Sequence, residues 1–363
     1  MVRTGTRSVR LSTIVAMLCA LVALLPLTAR PATAASRPGD GSTSIVLGTD
    51  AGTGMSVRRV TNQYGSMTYY VYRPAGVSTQ APVVVHLHGA NMDARDAARK
   101  SGLNTLADQR GFIVVYPQED PNNGRLGIWD WGQAAAGQTT DRAVSLVAAA
   151  TRHATRDENA DPGRVFISGI SAGAGMAVVM AAVYPDLFRA IHAEVGCMFG
   201  CATSLLGTPT MMSTLDPVTA GRNAYLAMGA RAARVPLLVS YGTADPNAYL
   251  ADQEALVQQW QVTHDLVDDR ELNGSVSRAV AATRTGVDGR SYSVDTYVDA
   301  SGCVLTERWL IDGLRHAYSG GTPTGLVDPD VDIGPNMRKV AYDFFMAQTA
   351  PGGPPSPTGG SCR

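Results

Sequence analysis

Short runs of consecutive apolar residues recur along the chain at Ala81–His88, Phe112–Tyr116, Arg164–Ser168, Ala190–Val195, Val235–Tyr241 and Val304–Ile311. Each is short and rich in β-branched residues, and so reads as a strand. Between and after them lie stretches with helical spacing, near residues 93–109, 141–157, 172–183, 216–232, 247–262 and 335–348. The strand runs are continuous rather than alternating, which predicts strands buried on both faces of a mostly parallel sheet, with helices on either side. Met67–Tyr72 alternates instead and reads as an antiparallel edge strand at the start of the sheet. In such a sheet functional groups collect at the carboxyl ends of the strands.

The strand read at Arg164–Ser168 breaks into Gly169-Ile170-Ser171-Ala172-Gly173 and continues as an Ala/Met/Val-rich helix. This pattern has the form of a nucleophile elbow. A serine on a sharp strand-to-helix turn sits in a strained conformation, and the positions two before and two after it are crowded unless they lack a Cβ. Gly169 and Gly173 meet that demand. With 38 glycines in the chain, a lone G-x-S-x-G is weak evidence, but this is its single match and it lies between a strand and a helix. The helix start also aims free amides at any oxyanion formed beside the hydroxyl.

An acid and a histidine are expected later in the chain, in that order, each just past a strand end. The strand Val235–Tyr241 runs into Gly242-Thr243-Ala244-Asp245. Of six histidines only His264 and His316 follow Asp245. His264 lies in the polar close of a helix and reads as a solvated surface residue. His316 follows the last strand, in a glycine-flanked loop able to fold over a pocket. Ser171 is therefore the candidate nucleophile, His316 the general base and then acid, and Asp245 the group that fixes the imidazole tautomer. Asp265, Asp268 and Asp269, the rival acids, lie at a helix end. The backbone amides of Ala172 and Ala90 are the expected oxyanion donors. His86 and His88 alternate on one strand, but two imidazoles without a carboxylate in register are poor metal ligation, so each reads as a hydrogen-bonded structural histidine. No metal or cofactor is expected.

The first residues carry Arg3, Arg7 and Arg10, an apolar run Leu11–Leu27 and then Ala32-Thr33-Ala34-Ala35. Residues 1–35 are thus expected to be a signal peptide, cleaved after Ala34 or Ala35. Pro26, Pro31 and the Ala-rich end argue against a retained membrane anchor. Removing this segment takes four arginines and no acidic residue, leaving 26 basic against 31 acidic side chains, a net charge of −5. That sign offers nothing to nucleic acid or anionic lipid. The expected organisation is a flexible segment at 36–44, a catalytic domain at 45–349 and a Pro/Gly-rich tail at 350–363. No polymer-binding module is read after the tail, which favours short or amorphous substrates over crystalline polymer.

Four cysteines remain in the exported chain: Cys197, Cys201, Cys303 and Cys362. Cys197 and Cys201 follow a strand and Cys303 precedes one, while Cys362 trails the final helix. Parallel strands place the first two on the face where helices begin and the others on the opposite face. The expected disulfides are Cys197–Cys201 and Cys303–Cys362.

From about Met67 to Phe345 the chain resembles the polyhydroxybutyrate depolymerase family of secreted α/β-hydrolase esterases, which includes feruloyl and acetyl-xylan esterase relatives. The resemblance rests on Leu87-His88-Gly89, Tyr116-Pro117-Gln118, Trp129-Asp130-Trp131, Asp161-Pro162, the run Arg164–Gly173, Tyr184-Pro185, Gly200-Cys201-Ala202, Gly242–Asp245, His316–Gly321 and Gly334-Pro335. It implies an α/β-hydrolase fold and triad roles for Ser171, Asp245 and His316. Trp129 and Trp131 resemble pocket-wall aromatics, with core packing an equal account of at least one of them. Tyr318 stands where the family has tryptophan, in a position implied to shape the pocket. Ala90 and Ile128 stand where the family often carries cysteines. The resemblance implies a secreted serine ester hydrolase acting on polyhydroxyalkanoate or related aliphatic polyesters and oligomers. Feruloyl or acetyl-xylan deacylation is the alternative, and a catalytically inactive binding protein on the same fold is the alternative of another class. Met198–Pro217 reads as a candidate cap over the pocket.

Overall fold

The computed structural model describes residues 41–121, 127–131, 142–201, 215–285, 290–323, 325 and 328–349. The expected signal segment, the tail with Cys362 and residues 202–214 of the candidate cap lie outside the described residues.

The elements follow in chain order as β1 (Thr43–Thr49), β2 (Ser56–Asn62), β3 (Gly65–Tyr72), β4 (Val83–Leu87), α1 (Ala94–Ser101), α2 (Leu103–Arg110) and β5 (Ile113–Gln118). Then come α3 (Arg142–Asp157), β6 (Val165–Ile170), α4 (Ala172–Val183), β7 (Ile191–Glu194), α5 (Pro217–Met228) and β8 (Leu237–Gly242). The remainder is α6 (Leu250–Asp269), β9 (Ser277–Thr285), β10 (Ser291–Val298), β11 (Val304–Ile311), the short pair β12 (Tyr318–Ser319) and β13 (Val331–Asp332), and α7 (Met337–Ala347). β1 starts at Thr43, two residues ahead of the expected domain start. The helical stretch near 93–109 is two helices, because Gly102 takes a left-handed φ of 69° between them.

One sheet runs in the order β1-β2-β3-β5-β4-β6-β7-β8-β11-β10-β9. Its six central strands, β5 through β11 in that order, pair parallel. Three antiparallel strands flank one side and two the other. Met67–Tyr72 is thus antiparallel as expected, but β2 and β1 lie outside it, so it is not the edge.

Alternate residues of each central strand feed opposite layers, as the pleat requires. Val83, Val85 and Leu87 join a core with α3, α4, α5 and α6, whereas Val84 joins a second core with α1, α2 and α7. Caps set where these helices begin. Asp93 accepts from Asp96 N–H at 2.7 Å, Asp216 from Val218 and Thr219, and Asn336 from Lys339, each bond contributing about 1 kcal/mol.

The chain passes from β4 outward to β5 and then returns to β6 on the other side of β4. Connections leaving β4 and β6 therefore diverge, opening a crevice at their carboxyl ends. Leu87 and Gly169 are paired there, so the segments His88–Ala90 and Ser171–Gly173 leave the sheet side by side.

Candidate active site

Ser171 sits between β6 and α4 with φ 55° and ψ −122°, a strained conformation for a residue with a Cβ. Its neighbours explain why the turn closes. A Cβ on Gly169 would strike the Gly173 carbonyl, and one on Gly173 would strike the carbonyls of Leu87 and His88. The helix start thus lies directly against the end of β4. Ala172 is the first helical residue after Ser171, so its N–H has no intrahelical acceptor. Contact between Gly173 and the Leu87–His88 backbone brings the loop that carries Ala90 beside the same turn.

His316 Nε2 lies 2.8 Å from Ser171 Oγ, and its Nδ1 lies 2.8 Å from Asp245 Oδ2. Residues 145 positions apart in sequence are brought within hydrogen-bond reach. Asp245 follows β8, its side chain buried, and its other oxygen accepts the backbone N–H groups of Asn247 and Ala248 at 2.8 and 2.9 Å. That pair of donors orients the carboxylate toward Nδ1. With Nδ1–H donating to Asp245, Nε2 is free to accept the Ser171 proton. Such an array can raise the nucleophilicity of the hydroxyl and return the proton to a leaving group.

The two strand histidines are both buried and bonded, but to different partners. His88 Nδ1–H donates to the Gly89 carbonyl at 2.9 Å, and Nε2 accepts the Glu119 N–H at 3.1 Å. His86 bonds Ser168 Oγ at 2.8 Å through Nδ1 and Tyr318 hydroxyl at 2.9 Å through Nε2. Burial pushes His88 down to about 4 and His86 down to about 3, so both imidazoles stay neutral.

Trp129 and Trp131 are each buried to within 3% of full enclosure. Trp129 donates Nε1–H to the His88 carbonyl at 2.8 Å and packs on the His88 ring at 4.7 Å. Trp131 donates to the Cys201 carbonyl at 3.0 Å. Both indoles therefore brace backbone that borders the elbow. Tyr318, expected on the pocket wall, is 3% exposed and turns its hydroxyl to His86 beside a small cavity that His192 and Glu194 also line. It has no open surface to offer a substrate in this arrangement.

Cys197 and Cys201 are joined, with Cα atoms 6.1 Å apart, as the topology predicts. Cys303 is also disulfide-bonded, and its expected partner Cys362 lies outside the described residues. His264 is not a surface residue. It is fully buried on α6, which runs to Asp269 rather than stopping near 262, and it bonds the Val235 carbonyl at 3.1 Å. A polar-looking helix end hides this because Trp260, Thr263 and His264 form its inward stripe.

Sequence reasoning missed Glu194, the buried acid that ends β7. Its carboxylate accepts the Ser319 N–H at 2.8 Å, and its backbone carbonyl accepts the Ser171 N–H at 2.9 Å. The available signal was an acidic residue in a short buried strand whose one other polar residue is His192.

The profile of the family described as Esterase PHB depolymerase matches residues 67–269, more than half of the chain. Poly(3-hydroxyalkanoate) depolymerase C of Paucimonas lemoignei is 28% identical over 312 residues, covering 83% of this chain and 69% of the relative. An acetylxylan esterase of Coprinopsis cinerea is 34% identical over 173 residues, 47% of this chain and 45% of that protein. Among solved structures, an acetyl xylan esterase from Aspergillus awamori superposes with a TM-score of 0.57 at 21% identity, covering 76% of this chain and 94% of that one. The chain belongs to the Esterase PHB depolymerase family and is a carboxylic ester hydrolase on an α/β-hydrolase fold.

Proposed function

We propose that this esterase is exported and works through an acyl-enzyme on Ser171, with poly(3-hydroxyalkanoate) or related aliphatic polyesters and their oligomers as substrates. One observation carries the reading: an unbroken hydrogen-bonded line from Asp245 through His316 to Ser171. Ser171 Oγ attacks the ester carbonyl while its proton passes to His316 Nε2. Ala172 and Ala90 amides stabilise the tetrahedral oxyanion, and Asp245 stabilises the imidazolium. The alkoxide leaves with the proton from Nε2, which gives acyl-Ser171. Water then attacks the acyl carbon, its proton taken by His316 and returned to Ser171 as the hydroxy acid departs. The substrate class is supported by the Paucimonas relative, which spans most of this chain. Export is supported by the Arg-flanked apolar N-terminus, and the net acidic mature chain suits neutral rather than nucleic-acid partners. Among the described residues no helix is long and apolar enough to cross a membrane.

A second reading, acetyl-xylan or feruloyl deacylation, draws on the higher identity to the Coprinopsis acetylxylan esterase. A substrate panel separates the two. The purified exported chain is expected to release 3-hydroxybutyrate from soluble oligomers and amorphous granules with higher kcat/KM than acetate from xylan or ferulate from methyl ferulate. Hydrolysis confined to the xylan or ferulate esters overturns the polyester assignment. A folded protein that hydrolyses none of these esters favours an inactive binding protein.

A further inference from the structure

Glu194 ends β7 on the central sheet and is buried, yet it touches neither Ser171 Oγ nor the His316 ring. Its two polar ends serve two parts of the site. The backbone carbonyl accepts the amide of Ser171 at 2.9 Å, and the carboxylate Oε1 accepts the amide of Ser319 at 2.8 Å. Ser319 lies three residues beyond His316. The Gly320–Gly321 peptide is held too, since Arg338 of α7 donates to the Gly320 carbonyl. A strand-end carboxylate and a helix guanidinium thus grip the peptides on either side of the Ser319–Gly320 bond, in the segment that follows the imidazole.

We propose that Glu194 is a positioning residue: its carboxylate fixes the Ser319 peptide and so holds the His316 ring in reach of the serine whose amide its own carbonyl secures. The proposal rests on the serine-esterase reading above. A buried carboxylate is a costly way to fill space, and an apolar side chain would pack there without desolvating a charge. What an anion adds is a shorter, stronger bond from a backbone N–H than a neutral acceptor makes. Contact over 125 sequence positions joins the middle of the sheet to a loop that follows its last parallel strand.

Ionisation of Glu194 is then visible in catalysis. Burial pushes its carboxyl up to about 7, against the opposing pull of the Ser319 amide and Arg338. The ionisable groups around the cavity of about 20 Å³ that it lines are His86 from β4, His192 from β7, Tyr318 from β12, and Arg338 and Tyr342 from α7, the Tyr342 phenol being pushed up by burial. Burial holds both histidines down near about 3, and it raises the Tyr318 phenol far above its ordinary value. Arg338 keeps its charge. Within this cluster Glu194 alone changes charge between pH 6 and 9. Below 7 the carboxyl becomes neutral and its grip on Ser319 becomes that of an amide oxygen.

The test compares wild type with Glu194→Gln and Glu194→Leu, using p-nitrophenyl butyrate between pH 6 and 9, with Ser171→Ala as control. For Glu194→Gln, kcat is expected to fall about three- to tenfold above pH 8, with KM unchanged, and to approach the wild-type value at pH 6. For Glu194→Leu, which has no acceptor, kcat is expected to fall by about thirty- to a hundredfold across the range, as a misplaced catalytic group would cause. A ratio of wild-type to Glu194→Gln activity that is constant with pH overturns the proposal, and so does a Glu194→Leu variant with wild-type kcat. If Glu194→Leu does not fold, the pH dependence of the Gln ratio decides alone. Ser171→Ala separates the two levels of inference. Activity surviving in that variant overturns the serine reading, whereas its loss beside a pH-flat Gln ratio overturns the role of Glu194 only.

Discussion

The role proposed for Ser171 rests on the strained backbone around it and on the line that reaches its hydroxyl through His316 from Asp245. The φ of 55° is tolerated where Gly169 and Gly173 allow the turn to close against β4. In the proposed relay Asp245 acts at one remove, through the tautomer of His316. Replacing it by Asn keeps the size but lets the amide donate to Nδ1, which puts the imidazole proton on Nε2 and blocks acceptance from the serine. Asp245→Asn is accordingly expected to lower kcat by about 10⁴-fold with the fold intact, measured on a soluble ester alongside a melting curve. A loss below about tenfold would remove Asp245 from the relay. The serine is legible in the sequence because a local five-residue pattern encodes a local strain. His316 and Asp245 are legible by order along the chain and position after strands. Glu194 and Tyr318 are not, because their partners Ser319 and His86 lie 125 and 232 positions away and no short-range pattern records such contacts.

The central strands and the helices that follow them come straight from the hydrophobic pattern, because a strand buried on both faces has few polar positions to confuse it. β4, for example, is buried at all five residues. β1, β2 and β10 escape detection for the opposite reason. β2 reads Ser-Val-Arg-Arg-Val-Thr-Asn and gains its place by pairing with β3, while Arg58 on its inner side is satisfied by Glu158. Elements also brace the site. The indole of Trp129 holds the His88 carbonyl at the point where β4 gives way to the loop carrying Ala90. Trp129→Phe removes that donor, strands a buried carbonyl and is expected to cost about 1–3 kcal/mol of stability. Through displacement of the Ala90 amide it should also lower kcat by about ten- to a hundredfold with little change in KM. Unchanged kcat in a folded variant would limit Trp129 to packing. The disulfide between Cys197 and Cys201 closes a loop of four positions, so its removal by paired Ser substitution is expected to cost only about 2 kcal/mol in denaturant unfolding.

The whole molecule carries its histidines mostly inside. Burial holds His86 and His192 near about 3 and His88 and His264 near about 4, below the ordinary value of about 6.5. Each binds a proton in the unfolded chain at a pH where the folded form stays neutral, so stability is lost as pH falls below 6.5 toward 4. Glu194, raised to about 7, has the reverse sign and takes up a proton in the folded form over much of that window. The net uptake on unfolding from these five groups is about three protons near pH 5.5, which amounts to about 4 kcal/mol per pH unit. Against a total stability of about 5–15 kcal/mol, the urea midpoint is expected to drop sharply between pH 6.5 and 5. A midpoint that holds steady across that interval would contradict the neutral burial of these imidazoles. For the molecule as an esterase, the decisive measurement is intact-mass and peptide mapping after reaction with a fluorophosphonate, read beside residual ester hydrolysis. The account predicts one adduct per chain, located on Ser171, with hydrolysis lost in proportion and no adduct on Ser171→Ala. Hydrolysis that persists after Ser171 is fully modified, or in the Ser171→Ala protein, would contradict it.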